Sequence, residues 1–118
     1  MNVREKVQNG YYDTKLPYPK SATKPRLPAG HSAEEAAAYA AELKEWENYR
    51  GVYAEQKSAW HLDEARLTAQ FKLDLLAELG IAEHPKADLL YEMAWERGHS
   101  GGLIEVLQVA EDLSDLLT

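Results

Sequence analysis

The 118-residue chain contains no cysteine. A disulfide framework and a cysteine-based zinc site are therefore excluded, and a reducing cytoplasm is the expected setting. Long apolar runs are also missing: nothing approaches the roughly 18 uninterrupted apolar residues of a membrane span. The opening MNVREKVQNGYYDTK lacks the apolar core of a secretory signal. The reading expects a soluble protein without a membrane partner. Sustained period-two alternation of β-branched residues is absent too, so strands are not expected. What remains is an apolar fraction of 45%, ordinary for a folded chain, and a length that allows one domain at most.

Proline is scarce except in one place. Four of the five prolines, Pro17, Pro19, Pro25 and Pro28, fall within a dozen residues, interleaved with Leu16, Tyr18 and Leu27. That density forbids helix and favours extended or polyproline II backbone. With Tyr11 and Tyr12 the segment has more apolar anchors than a solvated linker needs, so residues 1–31 read as an extended, basic strap lying on a helical surface. Charge follows the same division. Of the net −7, residues 1–30 carry +4 and leave −11 for the rest. A basic arm tethered to an acidic body meets that body, its own or a neighbour's, before it meets a phosphate backbone. Direct nucleic-acid binding is therefore not expected.

Residues 32–118 read as a helical domain: a long helix over 32–80 and shorter helical segments over 84–98 and 100–117. Ser32 with Glu35 three positions on is a capping box, and Gly80 followed by Ile81 is a Schellman-type stop. No proline lies between them. A straight helix of that extent would span about 70 Å, so the sequence predicts a bend, as at Gly51, or a helix shared with a second chain. Tyr39, Trp46, Tyr53, Trp60 and Leu67 recur every seven residues. Leu43, Arg50, Lys57, Glu64 and Phe71 fill the companion seam. Aromatic rings at one seam position suit a shallow contact such as the proline-rich strap, with Arg50 and Lys57 laying their stems beside the rings. The fold class expected is all-α, an antiparallel helical hairpin with an extended N-terminal arm, assembled as a homo-oligomer, in the first instance a dimer.

GHSGG at 98–102 spells the G-x-S-x-G of serine hydrolases, but a nucleophile elbow needs a strand before the serine and a histidine after it along the chain. Here a helix precedes Ser100 and no histidine follows. No catalytic residue is assigned. The glycines still require explanation, because each costs about 1 kcal/mol in a helix relative to alanine. Either a helix backbone crosses close by, or an anion sits on the exposed N–H groups of the last helix, with Ser100 as N-cap and Arg97 and His99 beside it. In the second case Lys86, Tyr91, Trp95, Arg97, His99, Ser100 and Gly101 would form a nucleotide site. Glu96 and His99 make a single E-x-x-H, where a di-iron bundle needs two such motifs and further glutamates. No metal or cofactor is assigned.

KLPYP at 15–19 together with HPKADLLYEMAWERGHSGGLIEVLQVAEDLSDLL at 84–117 resembles a group of small bacteriophage and prophage proteins. These pair a K-L-P-Y-P-type arm with an L-Y-x-x-A-W-x-x-G-H-S-x-G block. The resemblance carries no activity over. It implies a phage accessory protein, and small acidic proteins of that kind act by binding and inhibiting host or defence proteins. Two functions are therefore expected in competition. One is non-enzymatic capture of a host or bacterial-defence protein through an acidic surface that includes Glu105, Glu111, Asp112 and Asp115. The other is sequestration of a signalling nucleotide at Gly98–Gly102.

Overall fold

A computed structural model describes residues 1–21 and 23–117. Every regular element among them is helical: α1 (Val3–Gln8), α2 (Ala33–Glu78), α3 (Ala87–Gly98) and α4 (Leu103–Ser114). Single 3₁₀ turns follow α3 at His99–Gly101 and α4 at Asp115–Leu117. The chain is all-α.

Its ends are set by local chemistry. Ser32 Oγ accepts the Glu35 N–H at 3.2 Å and starts α2. At the other end Gly80 adopts φ +72°, with its N–H bonded to Ala77 O and the Ile81 N–H reaching back to Leu76 O, both at 3.1 Å. That is the double bond pattern of a Schellman stop, and Ile81 is buried behind it. Gly51 stays inside α2. His84 helps open α3, its Nδ1 accepting the Lys86 N–H at 3.0 Å.

The chain divides into two compact units. One comprises Met1–Thr14 with the chain from Glu64 onward; the other is Lys15–Asp63. The first unit holds the hydrophobic core. Phe71, Leu75 and Leu76 from α2 meet Leu90, Tyr91 and Ala94 from α3 and Val106, Leu107 and Ala110 from α4. Residues 84–117 are thus two helices rather than one kinked helix.

The first residues depart from the expected extended arm. α1 is helical because no proline precedes Pro17 and the Asn2 side chain caps it, accepting the Glu5 N–H at 2.8 Å. Val3 and Tyr12 then enter the core. Acids of α2 and α4 supply partners for its two cations: Arg4 pairs with Glu111 at 3.3 Å and Lys6 with Asp74 at 3.5 Å. The Val3 N–H donates to Glu78 Oε1 at 3.1 Å, and the Tyr12 hydroxyl donates to Asp74 Oδ2 at 2.6 Å.

In the second unit the proline-rich segment lies along α2. Tyr18 stands edge-on to Trp60 at 5.0 Å and the Tyr49 hydroxyl donates to the Lys20 carbonyl. Lys24 Nζ sits 5.6 Å from the Trp46 ring centre. Thr23 to Leu27 share a groove with Tyr39. The strap thus runs antiparallel to the helix, over the seven-residue seam. Arg50 Cζ lies 5.3 Å from the Trp46 ring centre and Lys57 Nζ 5.8 Å from that of Tyr53, so the charged heads, rather than the stems expected there, face the rings.

Candidate functional site

The glycine-rich turn joins the two C-terminal helices, and its glycines do different work. Gly98 closes α3 against the start of α4. A methyl group there would stand 2.7 Å from Val106 N and 2.8 Å from Glu105 C, both backbone atoms. Gly102 takes φ +89° and ψ 178°, a conformation open only to glycine, and is itself the N-cap of α4. Ser100, expected as that cap, lies instead in the 3₁₀ turn, because the Gly102 conformation delays α4 to Leu103. A Gly101 methyl would meet only the movable Glu105 carboxylate. Helix crossing, not ligand approach, accounts for Gly98.

Along α3, Tyr91, Trp95 and His99 repeat every fourth residue and form a ladder of rings. Tyr91 and Trp95 are 6.1 Å apart, and Trp95 and His99 stack at 5.9 Å with an 11° tilt. His99 Nδ1 lies 2.7 Å from the Trp95 carbonyl, which can only accept, so that nitrogen carries the proton. Between this ladder and α2 runs a shallow groove of about 280 Å³ lined by Thr68, Tyr91, Glu92, Trp95 and Glu96. Tyr91 is only 9% exposed, and its hydroxyl is buried with no hydrogen-bond partner. Burial pushes its pKa up to about 12, so it remains a neutral hydroxyl across the physiological range.

Of the seven residues expected to form a nucleotide site, Tyr91, Trp95 and His99 share the ring ladder, whereas Lys86 lies apart from the rest. Lys86 lies before the first turn of α3, in an apolar groove of about 140 Å³ with Leu89, Leu90, Met93 and Leu113 among its walls. Arg97 is one helix length away, roughly 16 Å at 1.5 Å per residue. Tyr91 and Trp95 do share a groove, but its charged walls are Glu92 and Glu96, which would repel a phosphate. His99, Ser100 and Gly101 sit exposed in the 3₁₀ turn.

The acids expected to face a partner also divide. Glu105 and Asp112, seven residues apart, are exposed on the outer face of α4, opposite the buried Val106, Leu107 and Ala110. Asp115 is exposed in the final 3₁₀ turn. Glu111 turns toward Arg4 and is partly buried, so it holds α1 rather than an open surface. On α3, Glu92 and Glu96 are exposed one turn apart. The sequence singles out Glu96 only in its E-x-x-H with His99 and gives Glu92 no motif at all. The available signal was their i, i+4 spacing beside Tyr91 and Trp95 at the same spacing.

Tyr39, Trp46, Tyr53 and Trp60 of the long-helix seam are all partly buried, with exposed Tyr18 resting on Trp60. They hold the strap of their own chain. A family model, a family of unknown function (DUF8546), matches residues 1–118. The chain belongs to DUF8546. A comparison with curated proteins and one with solved structures found no match. No helix among the described residues of this DUF8546 chain is long and apolar enough to cross a membrane.

Proposed function

We propose that the chain is a phage-type accessory protein that acts without catalysis, capturing and inhibiting a host or bacterial-defence protein through the acidic helical surface of its C-terminal unit. The observation that carries this reading is where the charge lies. From Glu64 onward there are eleven Asp and Glu against four Lys and Arg. Residues 1–14 are balanced, and so is Lys15–Asp63, which leaves the whole net −7 in the unit that owns the core. Glu92 and Glu96 on α3, and Glu105 and Asp112 on α4, project it from rigid helices. Such a field steers a basic partner surface and repels acidic competitors.

The test is quantitative affinity capture from a bacterial lysate with the wild-type chain and a folded triple variant, Glu105→Lys, Asp112→Lys and Asp115→Lys. The reading expects one host protein to be enriched by the wild type and lost by the variant. Equal enrichment by both would reject the acidic surface as the binding face. A second copy of the chain is a further expected partner, read out by light scattering.

A further inference from the structure

Resting on the second copy expected above rather than on the captured protein, we infer that the apolar groove between α3 and the end of α4 is where two copies of the chain pair. Each copy lends its exposed leucines to the groove of the other.

The groove, about 140 Å³, is walled by Leu89, Met93, Leu113, Leu116 and Leu117, with Lys86 at its end, and no residue of α1 or α2 lines it. Leu89 is 55% exposed and Leu116 80%, whereas every other leucine from Leu90 to Leu117 is buried or half-buried. Projecting leucines beside an apolar hollow make a self-complementary patch. The same surface supplies both the knob and the hole, as a two-fold pairing requires.

The charges around the groove select a copy of this chain over other apolar partners. On α3, Leu89, Met93 and Arg97 repeat every fourth residue, so the groove face carries a cation at each end, Lys86 and Arg97. On α4, the exposed acids Glu105 and Asp112 follow the outer edge, with Leu116 one turn beyond. None of these four charged side chains has an ion-pair partner among the described residues. Lys86 shares the groove with Leu113 at the far end of α4, while Gly98 abuts Glu105 and Val106. The two helices therefore run antiparallel, with Arg97 level with Glu105. A two-fold axis parallel to this hairpin lays α3 of each copy along α4 of the other and keeps those levels. Lys86 then faces Asp112 of the second copy, and Arg97 faces its Glu105. Cations meet acids at the rim although each chain is net negative, which fixes the register of the leucines between them. Glu105 and Asp112 also belong to the face offered to a captured protein, so a basic partner competes with the second copy for that rim.

The test is the mass of the full chain in solution, by sedimentation and light scattering across micromolar concentrations. The expected result is a reversible dimer. Leu89→Gln with Leu116→Gln should weaken it at least about tenfold while leaving melting at low concentration unchanged, because both side chains are exposed in the single chain. Lys86→Glu and Asp112→Lys, each alone, should pair more weakly than the wild type, since like charges then face each other twice. Mixed in equal amounts they should form a mixed dimer several-fold tighter than either alone, because each rim then joins opposite charges. A chain that stays monomeric at every concentration overturns the pairing and removes the second copy, leaving capture untouched. Pairing that survives the leucine substitutions, or a mixture no tighter than its parts, overturns this interface alone.

Discussion

At the scale of single residues, the glycine-rich turn gives the sharpest contrasts. Gly98→Ala drives a methyl into the α4 backbone, which cannot move aside as a side chain can, so a loss of about 1–3 kcal/mol is expected. Gly102→Ala should cost a similar ~1–3 kcal/mol through strain, with open space around it. Gly101→Ala should stay within about 0.5 kcal/mol, because the Glu105 carboxylate can swing away. Urea denaturation of the three variants checks the order. A Gly101 variant as damaged as Gly98→Ala would contradict the assignment of work within the turn. Asp74 supplies a second contrast. Burial opposes its charge, but hydrogen bonds from Tyr12 and Gln70 and the charge of Lys6 outweigh that and hold its carboxyl below the usual carboxylate range. A depressed carboxylate stabilises the fold above its unfolded pKa, near 4, and that stability is lost as pH falls through the folded value. Tyr91, raised to about 12 by burial, acts in the opposite sense. Its contribution is complete below the ordinary tyrosine value near 10 and disappears as pH rises toward 12. Melting temperature against pH should therefore show an acid limb flattened by Asp74→Asn and an alkaline limb flattened by Tyr91→Phe.

At the scale of elements, legibility follows how local the cause is. The Ser32 start and the Gly80–Ile81 stop of α2 were readable because a cap is written within a few residues. Gly80→Ala tests the stop in isolation: nothing lies within 4 Å of the added methyl, so the expected loss of about 1–2 kcal/mol is purely conformational. The seven-residue seam and the strap were readable from spacing and proline density. α1 was not, since a six-residue helix depends on distant partners, Asp74, Glu78 and Glu111, that no window of sequence contains. The same limit hid the division of labour among Gly98, Gly101 and Gly102, which is settled by where α4 passes. It also hid the groove that Glu92 and Glu96 share, whose further wall, Thr68, lies on another helix. The strap itself is testable. Trp60→Ala removes the ring on which Tyr18 rests, and hydrogen exchange in residues 15–31 should quicken while exchange around Phe71 and Leu75 stays unchanged.

At the scale of the whole molecule, burial and charge are distributed unequally. All buried apolar residues of the core cluster belong to the unit of Met1–Thr14 and the chain from Glu64 onward, and so does the net negative charge. Within α2, the amides around Leu67–Leu76 should exchange far more slowly than those around Tyr39–Tyr53, where side chains are at most partly buried. A rigid, acidic, helical unit is suited to presenting charge at fixed spacing, and that is the claim on which the functional account depends. The most direct measurement is a calorimetric titration of the chain with its purified captured partner at two salt concentrations, repeated with Glu105→Lys, Asp112→Lys and Asp115→Lys combined. The account predicts that wild-type affinity falls as salt rises and that the folded triple variant binds at least about tenfold more weakly at low salt. Affinity indifferent to both salt and charge reversal would contradict it.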